Sequence, residues 1–178
     1  MIKDAIATSA ESIIDDSIGE IRNIAHNLMP KSLSSKGLIN ALTDYFDNLQ
    51  QVYHKEVEFS HDIQVVFTPD LQINLYRIIS ELVLNAAKHS NARMISITIK
   101  TMETIIFLQI KDNGQGFLSK PDELQKSMGL QNITDRLWYL QGTFTLQSLP
   151  DKGTAIDIII PLQGNLFLQP EHAQAHSL

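Results

Sequence analysis

Ile105-Ile106-Phe107-Leu108-Gln109-Ile110-Lys111-Asp112-Asn113-Gly114-Gln115-Gly116-Phe117 carries an apolar residue at every second position through Ile106, Leu108 and Ile110, meets an acid, and then turns on two glycines. Period two is the mark of a strand with one buried face. Glycine lets the chain turn sharply, and it lets a ligand come close to backbone that no Cβ covers. Taken alone, Asp-x-Gly-x-Gly fits a plain turn after a strand as well as it fits a site.

The neighbouring sequence extends the sheet. Ile95, Ile97 and Ile99 alternate with Ser96, Thr98 and Lys100, so residues 95–110 read as a hairpin turning at Thr101 to Thr104. Downstream, Gly129 to Leu140 reads as a helix ended by Gly142. Two more alternating strands follow, Thr143 to Ser148 and Thr154 to Ile160, around the turn Pro150-Asp151-Lys152-Gly153. Upstream, Thr68-Pro69-Asp70 opens a helix running to about Lys88, with Ile79, Val83 and Ala86 on its core face beside Ile78 and Leu82.

Val57-Glu58-Phe59 and Ile63-Gln64-Val65 are expected as short strands, and Leu38, Ala41, Leu42, Tyr45, Phe46 and Leu49 as a helical stripe to about Val52. Lys31 to Gly37 reads as a polar connector. Before it, Ile14, Ile18, Ile21, Ala25 and Leu28 step by four and three residues, a bundle-like seam on a helix that Pro30 ends. Phe117 to Met128 is polar and irregular, and Gln163 to Leu178 reads as a surface tail. The expected fold class is α+β, a two-layer sandwich of a mixed, mostly antiparallel sheet with helices on one face, preceded by a helical-bundle segment.

Composition bounds the function. The 178 residues suit one domain with an appended helix or tail. No continuous apolar stretch reaches the length of a membrane span. The absence of cysteine excludes disulfide frameworks, thiolate zinc sites and cysteine nucleophiles. A formal charge of −6 argues against a general nucleic-acid binder, so no nucleic-acid partner is expected. Met1-Ile2-Lys3-Asp4 is not expected to open a signal peptide, since no apolar run with a small-residue cleavage site follows it.

Three places can carry chemistry. Glu81, Asn85 and Lys88 lie at i, i+4 and i+7 and so near one helical face. A carboxylate beside an amide carbonyl can help hold a Mg²⁺ that mainly contacts phosphates, and a solvated charged face has the same spacing. Met128-Gly129-Leu130 opens a helix whose first amides could cradle phosphate, or simply start a helix. Gly153-Thr154 precedes the last long strand, where a tight turn is the simple explanation.

Their order is more informative than any one of them. Glu81-Leu-Val-Leu-Asn85-Ala-Ala-Lys88-His89-Ser90 resembles the N box of sensor histidine kinases, Asp112 to Phe117 their first glycine box, and Met128 to Ile133 with Gly153-Thr154 the later glycine elements. The chain therefore resembles the ATP-binding domain of that family, the Bergerat (GHKL) fold shared with gyrase, the Hsp90 chaperones and MutL. Ile21 to Pro30, followed by Gly37-Leu38 and Ala41-Leu42, is similar to the second dimerisation helix and linker of the nitrate-sensing and membrane-fluidity subfamily. The resemblance spans about Ser12 to Leu162. It divides the chain into residues 1–36 (truncated dimerisation helix and linker), 37–162 (catalytic domain) and 163–178 (tail).

The resemblance implies roles residue by residue. Asp112 should accept a hydrogen bond from the adenine amino group, with Gly114 and Gly116 shaping the base pocket and hinging a lid. Asn85 should ligate Mg²⁺ at the phosphates, with Glu81 as a water-positioning acid; these two are the expected catalytic residues. Lys88 and His89 should approach the phosphates with the amides of Gly129 and Leu130, and Thr154 should help fix the adenine end. The lid would be Phe117 to Met128. Ser127 departs from the family's usual glycine.

The expected cofactors are ATP and Mg²⁺. The expected partners are a response regulator and a second protomer held through the dimerisation helices, and the expected location is the cytoplasm, with a parent that can be a membrane sensor. The family's phosphoacceptor histidine lies in a His-Asp or His-Glu pair on a first dimerisation helix, which places it outside this chain. His26 is followed by Asn27 rather than an acid and is read as a structural contact. His54, His61, His172 and His176 are read as surface residues. A degenerate nucleotide-sensing module, or a gyrase- or MutL-like ATPase, is the alternative.

Overall fold

A computed structural model of the chain describes residues 31–117, 128–162 and 167–168. The expectations for the helix before Pro30, for His26, Ser127, His172 and His176, and for the lid residues 118–127 lie outside the described residues.

In chain order the elements are α1 (Lys31–Tyr53), β1 (Glu56–Asp62), β2 (Val66–Phe67), α2 (Pro69–His89), β3 (Met94–Met102), β4 (Ile105–Asp112), α3 (Met128–Tyr139), β5 (Thr143–Ser148), β6 (Thr154–Pro161) and β7 (Phe167–Leu168). Five strands form one sheet in the order β1-β3-β4-β6-β5. Only β1 and β3 pair in parallel; the other three pairings are antiparallel. The α+β class with a mostly antiparallel sheet is what the alternating runs led one to expect.

Ile95, Ile97 and Ile99 of β3, Ile106, Leu108 and Ile110 of β4, and Ile158 and Ile160 of β6 are buried on one face of the sheet. Over them lie Leu71, Leu75, Ile78, Ile79, Leu82 and Val83 of α2, also buried. Each such side chain contributes about 1.5–3 kcal/mol relative to exposure, so this seam is the main source of stability. Helix α1 covers the β1 side, where Phe46 meets Phe59 with ring centroids 5.1 Å apart. Tyr45 donates to the Ser80 carbonyl at 3.0 Å and ties α1 to α2.

Helix α2 begins as its sequence signals. Thr68 accepts from the Leu71 N–H at 3.3 Å, Pro69 occupies the first turn with Asp70, and Ser90 caps the far end.

Three local expectations are corrected. Lys31 to Gly37 is not a simple connector: residues 31–36 are helical, and Gly37, at φ +77°, turns the chain before the main helix. Leu33 is buried, which anchors that turn despite its polar neighbours. Ile63 to Val65 is not a strand. Its apolar residues pack half-buried against the core as a connector, and the short strand falls at Val66–Phe67. Finally, the C-terminal residues are not wholly a surface tail, since Phe167–Leu168 pairs antiparallel with Val66–Phe67.

Candidate functional site

The register of the sheet sets the site. Asp112 of β4 stands opposite Thr154 of β6, which stands opposite Ser148 of β5, so three polar residues form one row at the end of the sheet on its helix-covered face. The next row on that face is Ile110, Ile156 and Leu146, wholly apolar. Period two in each strand produces this arrangement: one row in from the polar end, every side chain pointing the same way is aliphatic.

Across from these rows runs the Glu81, Asn85 and His89 stripe of α2. With Asp112, Thr154 and the aliphatic row of the sheet, Leu82 and Ala86 from α2, Leu130 from α3 and Gly116 and Phe117 from the glycine stretch, this stripe encloses a cleft of about 570 Å³, and Ser148 stands behind Thr154 outside it. That size suits a small ligand, and an apolar floor with a few placed polar groups is what a planar heterocycle needs.

The polar row is rigidly framed. The Asp112 carboxylate accepts from the Gly114 N–H through Oδ1 at 2.8 Å. Ser148 is buried; its hydroxyl accepts from the Phe117 N–H at 2.9 Å, donates to the Gly153 carbonyl at 3.1 Å and lies 3.1 Å from the Thr154 hydroxyl. Asn113 points the other way, its Oδ1 accepting from the Arg93 and Met94 amides at 2.9 and 3.0 Å, which fastens the end of β4 to the start of β3. Gln115 reaches the end of α2, its N–H donating to the Ser90 carbonyl at 2.7 Å and its side chain to the His89 carbonyl at 3.1 Å.

Backbone crowding explains the glycines. A Cβ on Gly114 would overlap the Ser90 carbonyl oxygen, and one on Gly116, at φ +55°, would overlap that of Leu149. Gly153 lies at φ +74°, with the Asp112 carbonyl oxygen where its Cβ would stand.

Of the residues singled out in the sequence, Glu81, Asn85, His89, Asp112, Gly116, Leu130 and Thr154 line the cleft together. Gly129 is in the first turn of α3, one residue before Leu130. Gly114 does not line the cleft and serves instead as the point where the turn packs beneath the end of α2. Lys88 stands apart from these residues. It lines a separate groove between α1 and α2 with Asp44, Tyr53, Tyr76 and Leu84. Successive residues of a helix are about 100° apart, so Lys88 falls a full step round from His89, on the shoulder turned to α1.

Ser148 and the aliphatic row were missed in the sequence. Both could have been found by counting two residues back from Asp112 and two on from Thr154, and by pairing the last two long strands. His54 and His61 are exposed, as expected.

The family described as histidine kinase-, DNA gyrase B-, and HSP90-like ATPase matches residues 70–164, the span from the start of α2 past the end of β6. This chain belongs to that family. ATP is the nucleotide on which such domains act. Over 153 residues this ATPase-family chain is 33% identical to the sensor protein VraS of Staphylococcus haemolyticus, covering 85% of this chain and 43% of that protein, and 34% identical to the VraS of Staphylococcus saprophyticus over the same shares. It thus spans less than half the length of these relatives.

Among solved structures, the histidine kinase AdeS of Acinetobacter baumannii shares the fold at TM-score 0.58 and 18% identity, over 72% of this chain and 65% of that one. The histidine kinase domain of the Erythrobacter litoralis blue-light activated kinase does so at 0.57 and 15%, over 70% and 60%. Both agree with a mixed five-stranded sheet under helices. No helix among the described residues is long and apolar enough to cross a membrane.

Proposed function

We propose that this chain is the ATP-binding catalytic part of a sensor histidine kinase, and that it directs the γ-phosphoryl of ATP to a histidine outside this chain, from which the aspartate of a response regulator takes it. The observation that carries this reading is the single cleft in which Asp112 and Thr154 face Glu81 and Asn85 over an aliphatic floor.

In this reading the adenine lies on Ile110, Leu146 and Ile156, its amino group donating to Asp112. The sugar and phosphates run toward Asn85, His89 and the first turn of α3, where the amides of Gly129 and Leu130 favour negative charge. Glu81, one turn from Asn85, orients a water or the incoming acceptor. With little covalent chemistry for the protein to do, its contribution is positioning and electrostatic stabilisation.

A metal fits this arrangement in one way. No cluster of three or more histidine or carboxylate groups that could hold an ion exists among the described residues. Asn85 and Glu81 supply two side-chain oxygens at the cleft, which suits Mg²⁺, an ion that keeps waters and takes other ligands from phosphates. When bound, it would neutralise charge developing on the phosphoryl oxygens. The same reading places the chain in the cytoplasm, gives it a response regulator as partner, and assigns residues 1–36 to a dimerisation helix and linker joining a second protomer, with 37–162 as the catalytic unit.

Equilibrium titration of ATP with and without Mg²⁺, repeated on Asn85→Ala, tests this. Binding strengthened by Mg²⁺ in the natural chain, and a loss of that strengthening in Asn85→Ala, is the expected result. Binding indifferent to both would point to the nucleotide-sensing alternative.

A further inference from the structure

Helix α3 brings Leu130 to the cleft at one end and carries Tyr139 at the other, roughly 14 Å away along the axis at 1.5 Å per residue. Its buried side chains, Ile133 and Leu137, are aliphatic. Such contacts hold the helix down without fixing its axial position, because hydrophobic attraction has no direction.

Directional contacts are found on its α2 side. Tyr139 donates from Oη to Asp70 Oδ2 at 3.1 Å, and Arg136 donates from Nη1 to Asn74 Oδ1 at 3.5 Å. Asn74 is only 8% exposed, and its Nδ2 donates to the Asp70 carbonyl at 2.9 Å, which leaves Oδ1 turned to α3. Asp70, Asn74, Arg77, Glu81 and Asn85 step along α2 by four, three, four and four residues, a single helical face. That face grips the far end of α3 with its first two members and lines the cleft with its last two. Burial lowers the pKa of Arg136, the nearby Arg77 adds to that, and Glu81 opposes it, so the guanidinium stands among the charges of this stripe.

We propose that Tyr139 with Asp70, and Arg136 with Asn74, are positioning residues: they set where the first turn of α3 stands at the cleft and so govern how long a nucleotide is held. The inference rests on the reading of the cleft as an ATP site. None of the four touches the cleft, so their effect passes through α3.

The test is the release rate of a fluorescent ADP, measured by displacement with excess ATP on the whole chain. Tyr139→Phe removes one hydroxyl from a residue that is 61% exposed, which leaves the fold undisturbed. It should speed release about threefold, as should Asp70→Ala, with the double variant no faster than either single one; that is the scale of one exposed hydrogen bond. Arg136→Met should likewise speed release about threefold and Arg136→Lys should recover part of the loss. The melting temperature of the nucleotide-free protein is the control, since a merely structural role would lower it and leave release unchanged. Failure of the natural chain to bind the fluorescent ADP overturns the nucleotide reading and this inference with it. Normal binding by the natural chain, with release unaltered in Tyr139→Phe and Arg136→Met or additive in the double variant, overturns the inference alone.

Discussion

Replacing Asp112 by asparagine separates the ligand chemistry of the cleft from its architecture. The carboxylate has two oxygens with different duties: Oδ1 accepts from the Gly114 N–H at 2.8 Å, and Oδ2 takes no hydrogen bond from the described residues. In Asp112→Asn the amide oxygen can keep the bond to Gly114. Nδ2 then occupies the place of Oδ2 and presents a donor where an adenine amino group also brings a donor. The change removes one hydrogen bond to a charged group, worth about 1.5–3 kcal/mol. At 1.4 kcal/mol per factor of ten, ATP affinity should fall about ten- to hundredfold, toward the lower figure because the cleft is open to water. The melting temperature of the free protein should move by no more than about 2 °C, since the turn keeps its bond. Isothermal titration with ATP and GTP is the assay: guanine offers an acceptor at the same position, so the preference for ATP over GTP should shrink or reverse. Unchanged ATP affinity, or an equal loss for both nucleotides, would refute the assignment of Asp112 to the base.

Gly153→Ala should destabilise the fold by about 2–4 kcal/mol, because it adds a Cβ against the Asp112 carbonyl at a left-handed φ; a denaturant midpoint within error of the natural chain would show that the turn relaxes freely. Phe46→Ala, at a side chain only 3% exposed and packed on Phe59, should cost about 3–5 kcal/mol by the same measurement. Burial raises the pKa of Tyr45 well above that of a free tyrosine, so the folded chain holds a proton that the unfolded chain releases near pH 10. The stability from this group is therefore complete below pH 10 and falls above it by about 1.4 kcal/mol per pH unit, a slope that Tyr45→Phe should remove in alkaline unfolding curves.

Elements whose cause is local could be read from the sequence. Thr68-Pro69-Asp70 set the start of α2, and the alternation of Ile95 to Ile99 and Ile106 to Ile110 set the central hairpin, because capping and strand period act over a few residues. Non-local pairings could not. The parallel contact of β1 with β3 joins segments separated by the whole of α2, and the pairing of Val66–Phe67 with Phe167–Leu168 spans about a hundred residues of sequence. The place of Lys88 is non-local in the same way: spacing along a helix gives a face, and only the neighbouring elements decide which side of that face borders the cleft.

The glycine motif is where structure most changes the interpretation. In the sequence, Gly114 and Gly116 invite a ligand to approach bare backbone. In the fold, the space beside each is taken by protein: by the Ser90 carbonyl from the end of α2 and by the Leu149 carbonyl from the end of β5, while Gly153 accommodates the Asp112 carbonyl in turn. Three backbone segments meet there closer than any side chain allows, and the Gln115 N–H and carbonyl complete the junction by bonding to Ser90 and Asp151. Gly114 and Gly153 thus do their work one step removed from the cleft, while Gly116 also borders it. They hold the end of α2, the turn after β4 and the turn before β6 in one place, which is what sets Asp112 and Thr154 opposite Asn85 across a single cleft. A larger residue at Gly114 would therefore disturb Asp112 through its turn, and on the proposed reading of the cleft the ligand chemistry of the motif falls to that acid.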